Sequence, residues 1–88
     1  MTYYAVTEGT AIEDVGGITV IMSNRGDSAI LNGTADAILR ITLTGKDELA
    51  IAEMMTDLYD VSEDAALEDV RSVHMQLLRY GMLEELNM

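Results

Sequence analysis

The hydrophobic period of this chain changes once, near Asn32, and that switch limits the folds open to it. Up to that point the pattern is that of strands. In Gly17-Ile18-Thr19-Val20-Ile21-Met22-Ser23 the residues Ile18, Val20 and Met22 share one face, a period of two. Tyr3-Tyr4-Ala5-Val6-Thr7 is rich in strand formers, and Ser28-Ala29-Ile30-Leu31 makes a third short strand. Between the first two, Glu8 to Gly17 reads as loop through Gly9, Asp14, Gly16 and Gly17, although Ala11-Ile12 and Val15 are able to extend a strand. Asn24-Arg25-Gly26-Asp27 is a turn by composition, so strands two and three should form an antiparallel hairpin. The Arg25-Gly26-Asp27 tripeptide matches an integrin-binding motif, but its setting makes it a hairpin turn.

From residue 33 the period becomes helical. Asn32 is a good N-cap for a helix over roughly Gly33–Thr42, with Ala35, Ile38, Leu39 and Thr42 along one side. Thr44-Gly45-Lys46 breaks it. Asp47 caps a second helix over roughly Glu48–Tyr59, with Leu49, Ala52, Met55 and Leu58 expected inward. Ser62 caps a third, and Glu63 and Asp64 fall in its first turn, where the helix dipole favours negative charge. That helix should run to Tyr80 and stop at Gly81, leaving Met82-Leu83-Glu84-Glu85-Leu86 as a tail that packs back as a strand or turn. Strands first and helices after imply segregated layers, an α+β domain with a three-stranded antiparallel sheet followed by three helices.

Composition narrows what such a domain does. The 88 residues suffice for one domain, 1–88, with one core. With no Phe, no Trp and four Tyr, that core must be aliphatic. The absence of Cys removes disulfides and thiolate metal sites, and a single His leaves a zinc site short of ligands. No cofactor is expected. Sixteen acidic residues against five basic ones give a net charge of −11. Five cations cannot build a phosphate-binding patch, and an anionic membrane surface would repel the chain. No apolar run approaches the ~18 residues of a membrane span, and Met1-Thr2-Tyr3-Tyr4 lacks the features of a signal peptide. A cytoplasmic protein is the expectation, its acidity serving solubility or steering a basic partner.

Catalytic and metal motifs fail on inspection. Asp57 to Glu68 has the length of an EF-hand loop, but Tyr59, Val61 and Ser62 occupy positions that need ligands or glycine. Asp57, Asp60, Glu63 and Asp64 are more simply a solvated helix end. Gly16-Gly17 precedes a strand and so offers no helix N-terminus to an anion. His74 lies on the apolar stripe of helix three with Leu67, Val70, Leu77, Leu78 and Gly81, which favours a core or groove-lining residue over a catalytic base. The chain is expected not to be an enzyme.

Two features point instead to binding. The apolar arc of helix three is broad, widened by Val73 and Tyr80 on one side and by Arg71 and Met75 on the other. The sheet takes up the excess, or a groove beside the helix is left open. If the strands meander in order, Ser28–Leu31 is an edge with no Pro, Lys or inward charge to deter pairing. Such an edge is a template for an added peptide strand.

These elements resemble the PqqD-like family, named for pyrroloquinoline quinone biosynthesis protein D and also called RiPP recognition elements. The resemblance covers roughly residues 17–86. It is carried by Ile30-Leu31-Asn32-Gly33-Thr34-Ala35, Ile38-Leu39, Leu43-Thr44-Gly45, Leu58-Tyr59-Asp60-Val61, Glu68-Asp69-Val70 and the closing Leu77-Leu78-Arg79-Tyr80-Gly81-Met82-Leu83. It implies a winged-helix-like domain that binds the leader segment of a ribosomally made precursor peptide. The leader adds as a strand to strand three, against helix three. Carried over by position, Ser28, Ala29, Ile30 and Leu31 make the main-chain ladder, and Arg71, His74, Met75 and Leu78 line the cleft. The implied partners are the leader and a modifying enzyme, of radical-SAM, cyclase or leader-peptidase type. The first strand and the Glu8–Gly16 loop match poorly, and an aromatic often found in strand three is missing. Exposed edges also permit a homodimer. The alternatives are a generic protein-interaction subunit and a winged-helix DNA-binding regulator, the latter disfavoured by the acidic N-terminal half of helix three.

Overall fold

The computed structural model describes residues 2–87. In chain order they form β1 (Thr2–Val6), β2 (Ala11–Val15), β3 (Ile18–Met22), β4 (Ser28–Leu31), α1 (Gly33–Thr42), α2 (Glu48–Leu58), α3 (Glu63–Arg79) and β5 (Leu83–Asn87). The α+β class is as expected, but the strands are distributed differently. The three-stranded antiparallel sheet is β2-β3-β4, with β3 central. Its first member is the segment read mainly as a loop. β1 does not join that sheet; it pairs antiparallel with the C-terminal β5, Tyr4 opposite Glu85.

The register settles which face of the sheet is inner. Ile21 of β3 stands between Ile12 of β2 and Ala29 of β4, and Thr19 lies opposite Leu31. Thr19, Ile21 and Leu31 are buried, while Ile18, Val15 and Ile30 are exposed. The alternating set Ile18, Val20 and Met22 therefore forms the outer face, because β3 is apolar on both sides. At the β3–β4 turn, the Ser23 hydroxyl accepts the backbone N–H groups of Arg25 and Asp27, and Ser23 N–H donates to Asp27 C=O at 2.8 Å. Arg25-Gly26-Asp27 is thus a hairpin turn, in which Arg25 and Asp27 face one another at 3.9 Å.

The helix starts follow the capping chemistry. Asn32, Asp47 and Ser62 each accept the backbone N–H three residues on, those of Ala35, Ala50 and Ala65. The inner faces differ in part. In α2, Ile51, Ala52 and Met55 are buried, whereas Leu49 and Leu58 are 60% and 61% exposed. Three residues turn a helix by only ~300°, so a ladder of i, i+3 steps walks off the buried face at both ends. The core is built in two parts. Ile38, Ile51, Met55 and Val70 join the three helices, while Ile21, Leu31, Leu39, Leu77 and Met82 join α1 and α3 to the sheet. Among the described residues no helix is long and apolar enough to cross a membrane.

Candidate functional site

β4 has a strand neighbour on one side only, so its other edge presents unpaired backbone groups among the described residues. Ala29 and Leu31 point toward the core, and Ile30 points out, 72% exposed. No charge interrupts the four residues Ser28–Leu31.

The edge runs beside the C-terminal half of α3. At one end, the Arg25 guanidinium lies over Gly81, about where a Cβ there would be 3.0 Å from Nη2. Leu31 packs with Leu77 in the core. At the other end, Asn32 and Ala35 face Val73 and Gln76 across an open groove of about 370 Å³. The strand edge therefore leads into a groove walled by the start of α1 and one flank of α3. Ser72, Gln76 and Asp69 on that flank make no side-chain hydrogen bond or ion pair among the described residues.

The opposite flank of α3 is engaged within the protein only in part, since Arg71 and Met75 also border a broad open cavity of about 800 Å³. Arg71 Nε lies 3.6 Å from Glu48 Oε1, beside a small opening that Arg71 shares with Thr2, Asp47 and Leu49. Between the flanks His74 is buried, 1% exposed. Its Nδ1 is 2.9 Å from Glu48 Oε2, its Nε2 is 2.8 Å from Thr42 Oγ1, and the Tyr4 ring lies 4.3 Å from it. Burial pulls the imidazole pKa below its usual value, outweighing the hydrogen bond and charge of Glu48, which act the other way. A neutral ring that donates from Nδ1 to Glu48 needs a donor at Nε2. The Thr42 hydroxyl has one hydrogen, and Ile38 C=O at 2.7 Å competes for it. Burial also pushes the Tyr4 phenol up, reinforced by the charges of Glu48 and Glu85. The cluster ties β1, α1, α2 and α3 together.

Of the eight residues expected at the peptide site, the structure groups the four of the main-chain ladder, Ser28, Ala29, Ile30 and Leu31, on the free edge. The other four fall together on one flank of α3. Arg71 pairs with Glu48 while staying largely exposed, and Met75, 61% exposed, is one turn further along the same flank. His74 is internal, and Leu78 is half-buried against the core. The residues of α3 that line the groove beyond the end of β4 are Asp69, Ser72, Val73 and Gln76, on the other flank. Periodicity displayed both flanks of this helix; only the crossing of α3 over the sheet decides which one meets the edge.

The sequence profile of coenzyme PQQ synthesis protein D (PqqD) matches residues 19–83. No curated protein gives a sequence match. Two solved structures share the fold. One, described as lasso peptide synthetase B1 complexed with the leader peptide, superposes with a TM-score of 0.85 at 23% identity, covering 92% of this chain and 96% of its own. The other, TbiB1 in complex with the TbiA(beta) leader peptide, gives a TM-score of 0.83 at 17% identity, covering 94% and 98%. The profile begins at the central strand of the sheet and ends at the start of β5, so it takes in the β4 edge, the groove and all three helices. On that span, this chain belongs to the PqqD family.

Proposed function

We propose that residues 1–88 act as one leader-binding domain. It captures the leader segment of a ribosomally synthesised precursor peptide and presents it to a modifying enzyme. The observation that carries this reading is the unpaired edge of β4 opening into the groove between α1 and α3. An extended peptide completes the backbone hydrogen bonds of Ser28–Leu31, and its alternate side chains fall toward the groove. The lasso peptide synthetase B1 and TbiB1 structures are complexes with leader peptides, which supports the same ligand class here.

The domain contributes no chemistry in this scheme. A peptide held beside its enzyme gains effective concentration rather than a lowered barrier, so a radical-SAM enzyme, a cyclase or a leader peptidase would serve equally. Val73 and Gln76 form the α3 wall of the cleft, and His74 supports that helix from beneath.

The test is titration of a synthetic leader from a precursor encoded beside this protein, with binding expected at micromolar Kd or tighter. Ile30→Pro removes a backbone donor from the edge strand, and is expected to weaken binding at least tenfold while circular dichroism stays native. Normal binding by the folded Ile30→Pro protein would rule out strand addition at β4.

A further inference from the structure

The groove does not end at α1. A second, smaller cavity of about 80 Å³ lies beyond it, and the two share Thr34 and Asp69. The floor of the small cavity is Met55 and Ala66, both buried in the three-helix core, and its walls are the partly exposed Tyr59 and Val61 from the α2–α3 link. A peptide leaving the β4 edge at Asn32 meets Asp69 first and the apolar cavity next. Their order is set by the shared lining.

Asp69 is set apart from the other acids of this chain by its place, since it lines both openings. Asp27, Asp36 and Glu48 face Arg25, Arg40 and Arg71, and Asp47 caps α2. Asp69, like most of the acids, has no such partner among the described residues; it is exposed, and it borders the groove beside Val73 and Ile38. An ionised carboxylate only accepts hydrogen bonds, and the net charge of −11 adds a field that favours a cation over a neutral donor. The cavity next to it has room for roughly two to three water-sized groups, enough for a branched aliphatic side chain and too little for an indole.

Resting on the leader-binding reading, we infer that this groove is a specificity subsite for a Lys or Arg followed closely by a Val, Leu or Ile, placed just outside the strand-pairing segment of the bound peptide. The cation meets the Asp69 carboxylate, and the aliphatic side chain enters the space bounded by Tyr59 and Val61. β4 supplies sequence-independent affinity through its backbone, and the groove supplies selection.

The experiment is display selection of random sixteen-residue peptides on the full chain, repeated on Asp69→Lys and on Ile30→Pro. Wild type is expected to enrich peptides in which a basic residue and an aliphatic residue flank an extended apolar stretch. Asp69→Lys should replace the basic residue with Asp or Glu, an outcome that loss of folding cannot imitate. For one selected peptide, changing its Lys to Gln should weaken wild-type binding roughly three- to fivefold at low salt, as for an exposed pair, and should have no such effect on Asp69→Lys. Tyr59→Ala should relax the aliphatic preference and leave the basic one intact. Peptides that depend on β4 but show the same residue preferences on wild type and Asp69→Lys would overturn the subsite and leave leader binding standing. If wild type enriches no peptide, or if Ile30→Pro enriches the same ones, the leader-binding reading falls and the subsite with it.

Discussion

His74 shows how much one buried side chain ties together. It contacts Glu48 at the start of α2, Thr42 at the end of α1 and Tyr4 in β1. Because its folded pKa lies below the unfolded value of about 6.5, the unfolded chain binds a proton first as pH falls. Its stabilising contribution is therefore complete above about pH 6.5, and is lost progressively from there down to the lower folded value. No other histidine confuses the measurement, since the chain has one. Urea unfolding at stepped pH should show stability declining below pH 6.5, with a flatter profile in His74→Gln. An imidazole NMR titration should give a single midpoint under 6.5; a midpoint above it would mean that Glu48 outweighs burial.

At the level of elements, the caps carry the chain from one helix to the next. Asn32→Ala removes the acceptor for Ala35 N–H and should cost about 1 kcal/mol in urea unfolding. It should also disturb peptide binding, because Asn32 joins the β4 edge to the groove. Gly81 ends α3 with φ +71°, so Gly81→Ala should cost about 1–2 kcal/mol for the left-handed backbone. The Arg25 guanidinium above it is the loose end of a side chain and can move aside. These boundaries were legible in the sequence because each depends on a local residue choice. β2 was not, since Ile12 is its one half-buried residue and the rest of Ala11–Val15 is exposed, which leaves no alternation to read. The partnership of β1 with β5 was illegible for another reason, as it joins segments from opposite ends of the chain. For the candidate site the edge strand was legible. Arg71 and Val73 lie on opposite flanks of one helix, and helical periodicity carries no information about which flank a distant strand approaches.

Across the whole molecule, charge and sheet edges work against each other. β2 and β4 are both open edges, and the outer sheet face exposes Val15, Ile18 and Ile30, so the fold has the means to self-associate. A net charge of −11 opposes two copies meeting. Sedimentation should show a monomer at about 50 mM salt and rising self-association at about 500 mM, where the screening length shrinks below about 5 Å. The same screening should slow association of a cationic peptide by about tenfold or more in stopped-flow measurements, with a smaller change in its dissociation. The β1–β5 ribbon has a consequence for engineering. Thr2 stands opposite Asn87, so the ends of the described chain emerge side by side. A short linker could close them, and new ends could be cut at Thr44-Gly45-Lys46, between α1 and α2. Such a circular permutant should fold and keep its edge strand, and the uncut unit could be spliced into a surface loop of a host enzyme without prying that loop apart.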